Sequence, residues 1–192
     1  MRRKILAMTG ALVGAAFIGV AAQGAAAGTA ASAGSQAAKP GTTLKYGKSA
    51  VVLYKDPLAK YNASATGLLR ITVTSVTKAK ASDFKGVQLN ASEKPGDMYY
   101  VRYSITNIGT TNVNKGDEGG PSLEADDSSG QEATDLTILG TFPACSWHAP
   151  PKPFPKGKTW TNCDIYDAPK GILKVAYTGN VNRYYDKAVI WK

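Results

Sequence analysis

The run "LLRITVTSVT" at 68–77 alternates Leu69, Ile71 and Val73 with Arg70, Thr72 and Thr74. That period of two limits what the chain can become. Successive side chains reach opposite faces only in an extended strand, so one face is apolar and the other wet. "MYYVRYSITN" (98–107) repeats the pattern, with Val101, Tyr103 and Ile105 against Arg102, Ser104 and Thr106. Six more runs rich in β-branched and aromatic residues lie between turn signals, at 50–54, 121–126, 133–139, 158–166, 172–178 and 187–192. Helical spacing persists nowhere beyond two turns. The pattern predicts an all-β chain, an immunoglobulin-like antiparallel β-sandwich of about seven to nine strands.

Two abrupt breaks are read as turns rather than sites. After Thr106 the alternation stops at Asn107, and Asn107 and Gly109 both tolerate bent, left-handed backbone, so "TNIGTTN" leads out of a strand into a short edge segment. "DDSSGQE" (126–132) resembles a calcium loop, but with Gly130 in the sixth place its first place is Ala125, where an acidic ligand is required. A hairpin turn is the expectation.

The opening residues, "MRRKILAMTGALVGAAFIGVAAQGAAAG", put Arg2, Arg3 and Lys4 before an apolar core and small residues at Ala25 and Ala27. This is a secretory signal expected to span 1–27 and to be cleaved, leaving no membrane span, with the ordinary secretory route ahead of twin-arginine export. Residues 28–43, nearly all Ala, Gly, Ser and Thr, are expected to be a flexible leader, and 44–192 one sandwich domain. After cleavage 20 basic residues face 14 acidic ones, a net charge of +6. The positives are scattered singly while seven of the carboxylates crowd between Asp117 and Asp135. With no Lys/Arg cluster interleaved with aromatics, nucleic acid is excluded as a partner.

Two cysteines, Cys145 and Cys163, in an exported chain read as one disulfide. A zinc site from both cysteines and His148 is the alternative, without a fourth ligand or a short Cys-x-x-Cys spacing. The cysteines bracket "CSWHAPPKPFPKGKTWTNC", whose prolines 150, 151, 153 and 155 stiffen it before it meets anything. On a closed loop Trp147, His148, Lys152, Phe154, Lys156 and Lys158 form a candidate partner-binding surface. The plainer reading has Trp147 and Phe154 plugging one end of the sandwich.

"LLRITVTSV", "YYVRYSITNIGTTNV", "GQEA", "FPAC", "FPKGKTWTNCDIYDAPKG" and the closing "VIW" occur in an order and spacing that resemble a family of secreted actinobacterial proteins with a telokin-like, immunoglobulin-type sandwich, the mycobacterial immunoprotective extracellular protein-like group. The resemblance spans about 150 residues and implies fold and export. That family has no agreed activity and no catalytic motif, so no site residue is carried over.

Catalytic patterns find little purchase. His148, the single histidine, lacks a Gly-x-Ser-x-Gly partner, and an oxidised Cys145 is no nucleophile. Paired carboxylates could come from the acidic run, but the spacing selects no pair. No cofactor and no metal is expected. Asn62-Ala-Ser64 and Asn90-Ala-Ser92 fit the glycosylation pattern, which a bacterial product leaves unmodified. The reading is a secreted, non-enzymatic module that binds a protein or a cell-envelope component through its loops. The alternatives are a structural or antigen-like secreted protein, or a small hydrolase.

Overall fold

A computed structural model describes residues 36–55, 66–113, 120–179 and 182–192. The signal segment, the first half of the leader (28–35) and the Asn62 sequon lie outside these residues. Nine strands appear in the described part: β1 (Thr43–Leu44), β2 (Ser49–Lys55), β3 (Thr66–Lys78), β4 (Met98–Asn107), β5 (Glu124–Asp127), β6 (Thr134–Leu136), β7 (Thr159–Asp167), β8 (Ile172–Tyr177) and β9 (Val189–Trp191). The only α-helix among the described residues is one turn, α1 (Asn182–Tyr185). Two sheets result, one of order β1-β9-β8-β5 and one of order β2-β3-β4-β7-β6.

The all-β sandwich with one disulfide is therefore the fold. All eight expected strands are present, and one more precedes them. β1 pairs with β9 in parallel, Thr43 opposite Ile190 and Leu44 opposite Trp191, so the sheets are not wholly antiparallel. This pairing also moves the start of ordered structure ahead of Leu44. Ala38 N–H donates to Val51 O at 2.7 Å and Ile190 N–H to Thr42 O at 2.9 Å. A segment of small residues is fixed here by its backbone groups, a source of order that composition does not register.

Period-two alternation positions the core as expected. Leu69, Ile71, Val73, Val101, Tyr103 and Ile105 are buried from the five-stranded sheet, facing Val175, Tyr177, Val189 and Trp191 of the other. A bulge between Val73 and Ser75 shifts the register, so that Val76 rather than Ser75 sits opposite Val101. The outer edge of β2, apolar on both faces, is closed to further pairing. Besides Ala38, the Tyr177 hydroxyl donates to Leu53 O at 2.9 Å, and Leu53 N–H reaches the Tyr184 hydroxyl at 3.4 Å.

The turn readings hold. At 127–131 the Asp127 carboxylate accepts from Ser129 N–H at 2.8 Å, Ser129 Oγ–H at 2.6 Å and Gln131 N–H at 3.1 Å, while Gly130 takes φ +81°. Its oxygen is occupied in shaping the hairpin, and the Ser129 hydrogen bond, ahead of the backbone ones, holds its carboxyl below the ordinary range. Asn107 ends β4 fully buried.

The five-stranded sheet has apolar residues on its outer face as well. Met98, Tyr100, Cys163 and Ile165 alternate with the inner set and pack under Ala79, Phe84, Phe142 and Cys145 from the connections that cross them. Phe142 lies 5.1 Å from Phe84 and 6.1 Å from Tyr100, ring centre to centre. A second small core thus pins the loop that follows β6.

Candidate functional site

β6 is only three residues long and pairs with β7 at Ile165–Asp167, so β7 from Thr159 to Asp164 has no strand beside it on that edge. The loop between β6 and β7 passes across that edge, from the outer face of the sheet to the inner one. On the outer side the Cys145–Cys163 disulfide fixes it, Cα to Cα 5.2 Å, with Arg102 Nη2 donating to Ala144 O at 2.6 Å. On the inner side His148 N–H donates to Asn162 Oδ1 at 2.7 Å, and Trp160 Nε1–H to His148 O at 3.0 Å. Trp147 lies between these two anchors and is 64% exposed.

The two sulfurs are bonded to each other, so the alternative of zinc held by Cys145, Cys163 and His148 is overturned. The expected loop surface splits. Trp147, His148, Lys152, Lys156 and Lys158 are exposed. Phe154 is not: it is fully buried in the main core, its backbone bridged to that of Val113. The plainer reading was right for Phe154 and wrong for Trp147. A phenyl ring between prolines fits a closed core as readily as an open surface, and the sequence carries no mark of which face it meets.

Behind Trp147 the inner face of β7 carries two polar groups that sequence reasoning missed, Asn162 and Asp164. Asn162 is buried, and its Nδ2 donates to the Tyr103 hydroxyl at 3.0 Å and to Asp164 Oδ1 at 2.9 Å. Asp135, the last acid of the crowded run, shares the cleft from β6. Burial is the main cause that pushes the Asp164 carboxyl up to about 6; the nearby Asp135 charge adds to it, and a hydrogen bond with Tyr103 opposes it. Asp135 is also raised, by desolvation. The Tyr103 and Tyr166 phenols are pushed far above their usual value, chiefly by burial.

Two adjoining hollows meet here. The larger, about 410 Å³, is walled by Leu136, Ile138, Phe142 and Ile165 together with both cysteines. The smaller, about 230 Å³, opens between Leu123, Trp160 and Tyr166. Trp147, Asp135 and Asp164 border both.

Asp164 has a consequence for stability. A folded-state value above the unfolded 3.8 means that the folded chain holds this proton more tightly. Its contribution is therefore fully present below about pH 4 and is lost as pH rises through about 6. Asp164→Asn is expected to raise stability at pH 7 by at most about 3 kcal/mol, at roughly 1.4 kcal/mol per pH unit of that window. The same change should flatten the pH 4–6 portion of the profile. Urea midpoints of both proteins at pH 4, 5 and 7 check it.

No family model matches the chain, and no curated protein matches it. A solved structure does: the secreted protein MPT63 from Mycobacterium tuberculosis, crystallised at 1.5 Å resolution. It is 17% identical, the alignment covers 81% of this chain and 98% of that chain, and the TM-score is 0.46. Among the described residues no helix is long and apolar enough to cross a membrane, and no group of three or more His, Cys, Asp or Glu is placed to hold a metal ion.

Proposed function

We propose that this chain is an exported, non-enzymatic binding module whose ligand site is the cleft beneath Trp147. The observation that carries the reading is the anchoring of Trp147. A large exposed indole sits between a disulfide two residues before it and two hydrogen bonds at the residue after it. Most exposed aromatics are free to move, and ordering them on binding costs entropy. The main chain that carries this one is held on both sides beforehand, beside a hollow of ligand size. The basic signal-like start supports export, and the partner class remains the one expected from sequence, a protein or a cell-envelope component.

Trp147→Ala tests it. Because the indole is mostly exposed, the change is expected to shift folding stability by no more than about 0.5 kcal/mol. It should also weaken binding of the purified chain to washed cell-envelope preparations by at least tenfold, since central exposed aromatics carry a large share of binding energy. Undiminished binding by the folded variant refutes the site.

A second reading has one observation in its favour: Asp164, with its raised carboxyl, shares a cleft with Asp135. That arrangement is one a small hydrolase uses for proton transfer. Release of reducing sugar from neutral oligosaccharides near pH 5.5, abolished in Asp164→Asn, would establish it.

A further inference from the structure

The charge around the cleft is opposite to that of the chain. The whole sequence has 23 Lys and Arg against 14 Asp and Glu, yet among the described residues no lysine or arginine lines either hollow. Asp135 and Asp164 border both hollows, and Glu124 and Glu132 line the smaller. All four carboxylates lie near enough to oppose ionisation of the Tyr166 phenol. Leu136, Ile138 and Phe142 give the larger hollow an apolar wall, and the Trp147 indole lines both hollows. Leu139, between two lining residues, is 93% exposed and continues the apolar surface outward.

A site divided in this way fits a side chain divided the same way. Lysine has an apolar four-carbon stem ending in a compact charge, and a cation gains further from the face of an exposed indole. Resting on the binding role above, we propose that the cleft receives a lysine side chain from an extended segment of a partner protein. The stem lies along Trp147 and the Leu136–Phe142 wall, and the ammonium lies between Asp135 and Asp164. Two adjoining hollows with an apolar rim offer far more room than a free amine fills. They suit a peptide whose neighbouring side chains occupy the remainder.

The indole N–H resonance of Trp147 in the ¹⁵N-labelled secreted chain reports occupancy, and that of buried Trp191 reports the fold. The probes are a five-residue peptide with a central lysine flanked by leucines, the same peptide with that lysine acetylated, and a neutral oligosaccharide. The lysine peptide is expected to shift the Trp147 signal saturably and to bind at least tenfold more tightly than the acetylated one. Asp135→Asn and Asp164→Asn should each weaken it about tenfold, the scale of a lost charged hydrogen bond, with Trp191 unmoved. Equal binding of the acetylated peptide, or a shift with the oligosaccharide alone, overturns the lysine assignment while the cleft stands as a binding site. No shift with any probe also overturns it, and the Trp147→Ala envelope assay then decides separately whether the binding role survives.

Discussion

Asn107→Ala is expected to lower folding stability by about 2–4 kcal/mol, more than a turn residue at a strand end normally does. Asn107 is fully buried, and its side chain serves three separate pieces of backbone. Nδ2 donates to Phe154 O at 2.7 Å and to Thr111 O at 2.9 Å, and Oδ1 accepts from Gly109 N–H at 3.0 Å. Alanine removes all three hydrogen bonds at once, each worth about 0.5–1.5 kcal/mol net, while Gly109 N–H keeps Leu68 O and Phe154 O keeps Val113 N–H as partners. The main chain of Asn107 is held as well, its N–H donating to Lys158 O and its O accepting from Gly157 N–H. Asn107 thus joins the end of β4 to the proline-rich segment at Phe154, the residue that fills the core. Asn107→Asp should be no better, because a carboxylate oxygen would then face two carbonyls. Gly109 is bound to the same geometry, since a Cβ there would lie 2.8 Å from Leu68 N. Urea unfolding of Asn107→Ala decides the matter: a loss below about 1 kcal/mol would mean that solvent replaces these bonds.

The second large effect is expected at the disulfide. Joint replacement of Cys145 and Cys163 by serine should cost about 3 kcal/mol from restored loop freedom at a separation of 18 residues. For a domain of about 150 residues that lowers the melting temperature by roughly 6–12 °C. The loss reaches beyond chain entropy, because the bridge holds Phe142 against Phe84 and Tyr100 on the outer face. It also removes one of the two anchors of Trp147, so ligand affinity at the cleft should fall with stability. Thermal melts should place the variant beside the reduced native protein, both below the oxidised native protein. An unchanged melt would show that the outer cluster and the Arg102–Ala144 hydrogen bond hold the loop without the bridge.

The strands were legible because they obey one local rule. Leu69, Ile71 and Val73 must share a face whatever the rest of the chain does, and β3 buries them. β7 shows where that rule stops. In "TWTNCDIYD" the inner phase is Trp160, Asn162, Asp164 and Tyr166, and the outer phase is Thr161, Cys163, Ile165 and Asp167. Both phases mix polar with apolar, because a second cluster covers the outer face, so alternation gave no hint that Asn162 and Asp164 point inward. Asp135 was hidden differently, as one acid among seven in a run whose other members include plain turn formers such as Asp127. The bracketing cysteines mark out the loop, yet Phe154 and Trp147, both aromatic and both near prolines, lie in opposite environments.

The sequence by itself determined the strands, the turns at Asn107 and Gly130, and the pairing of the only two cysteines. Each depends on neighbours within a few residues or on a count. Only the tertiary structure decided that β6 stops short and leaves an edge of β7 open. It likewise decided that the loop crosses that edge and that carboxylates from two strands gather under one indole. These are consequences of long-range pairing, and period-two alternation carries no information about which strand lies beside which.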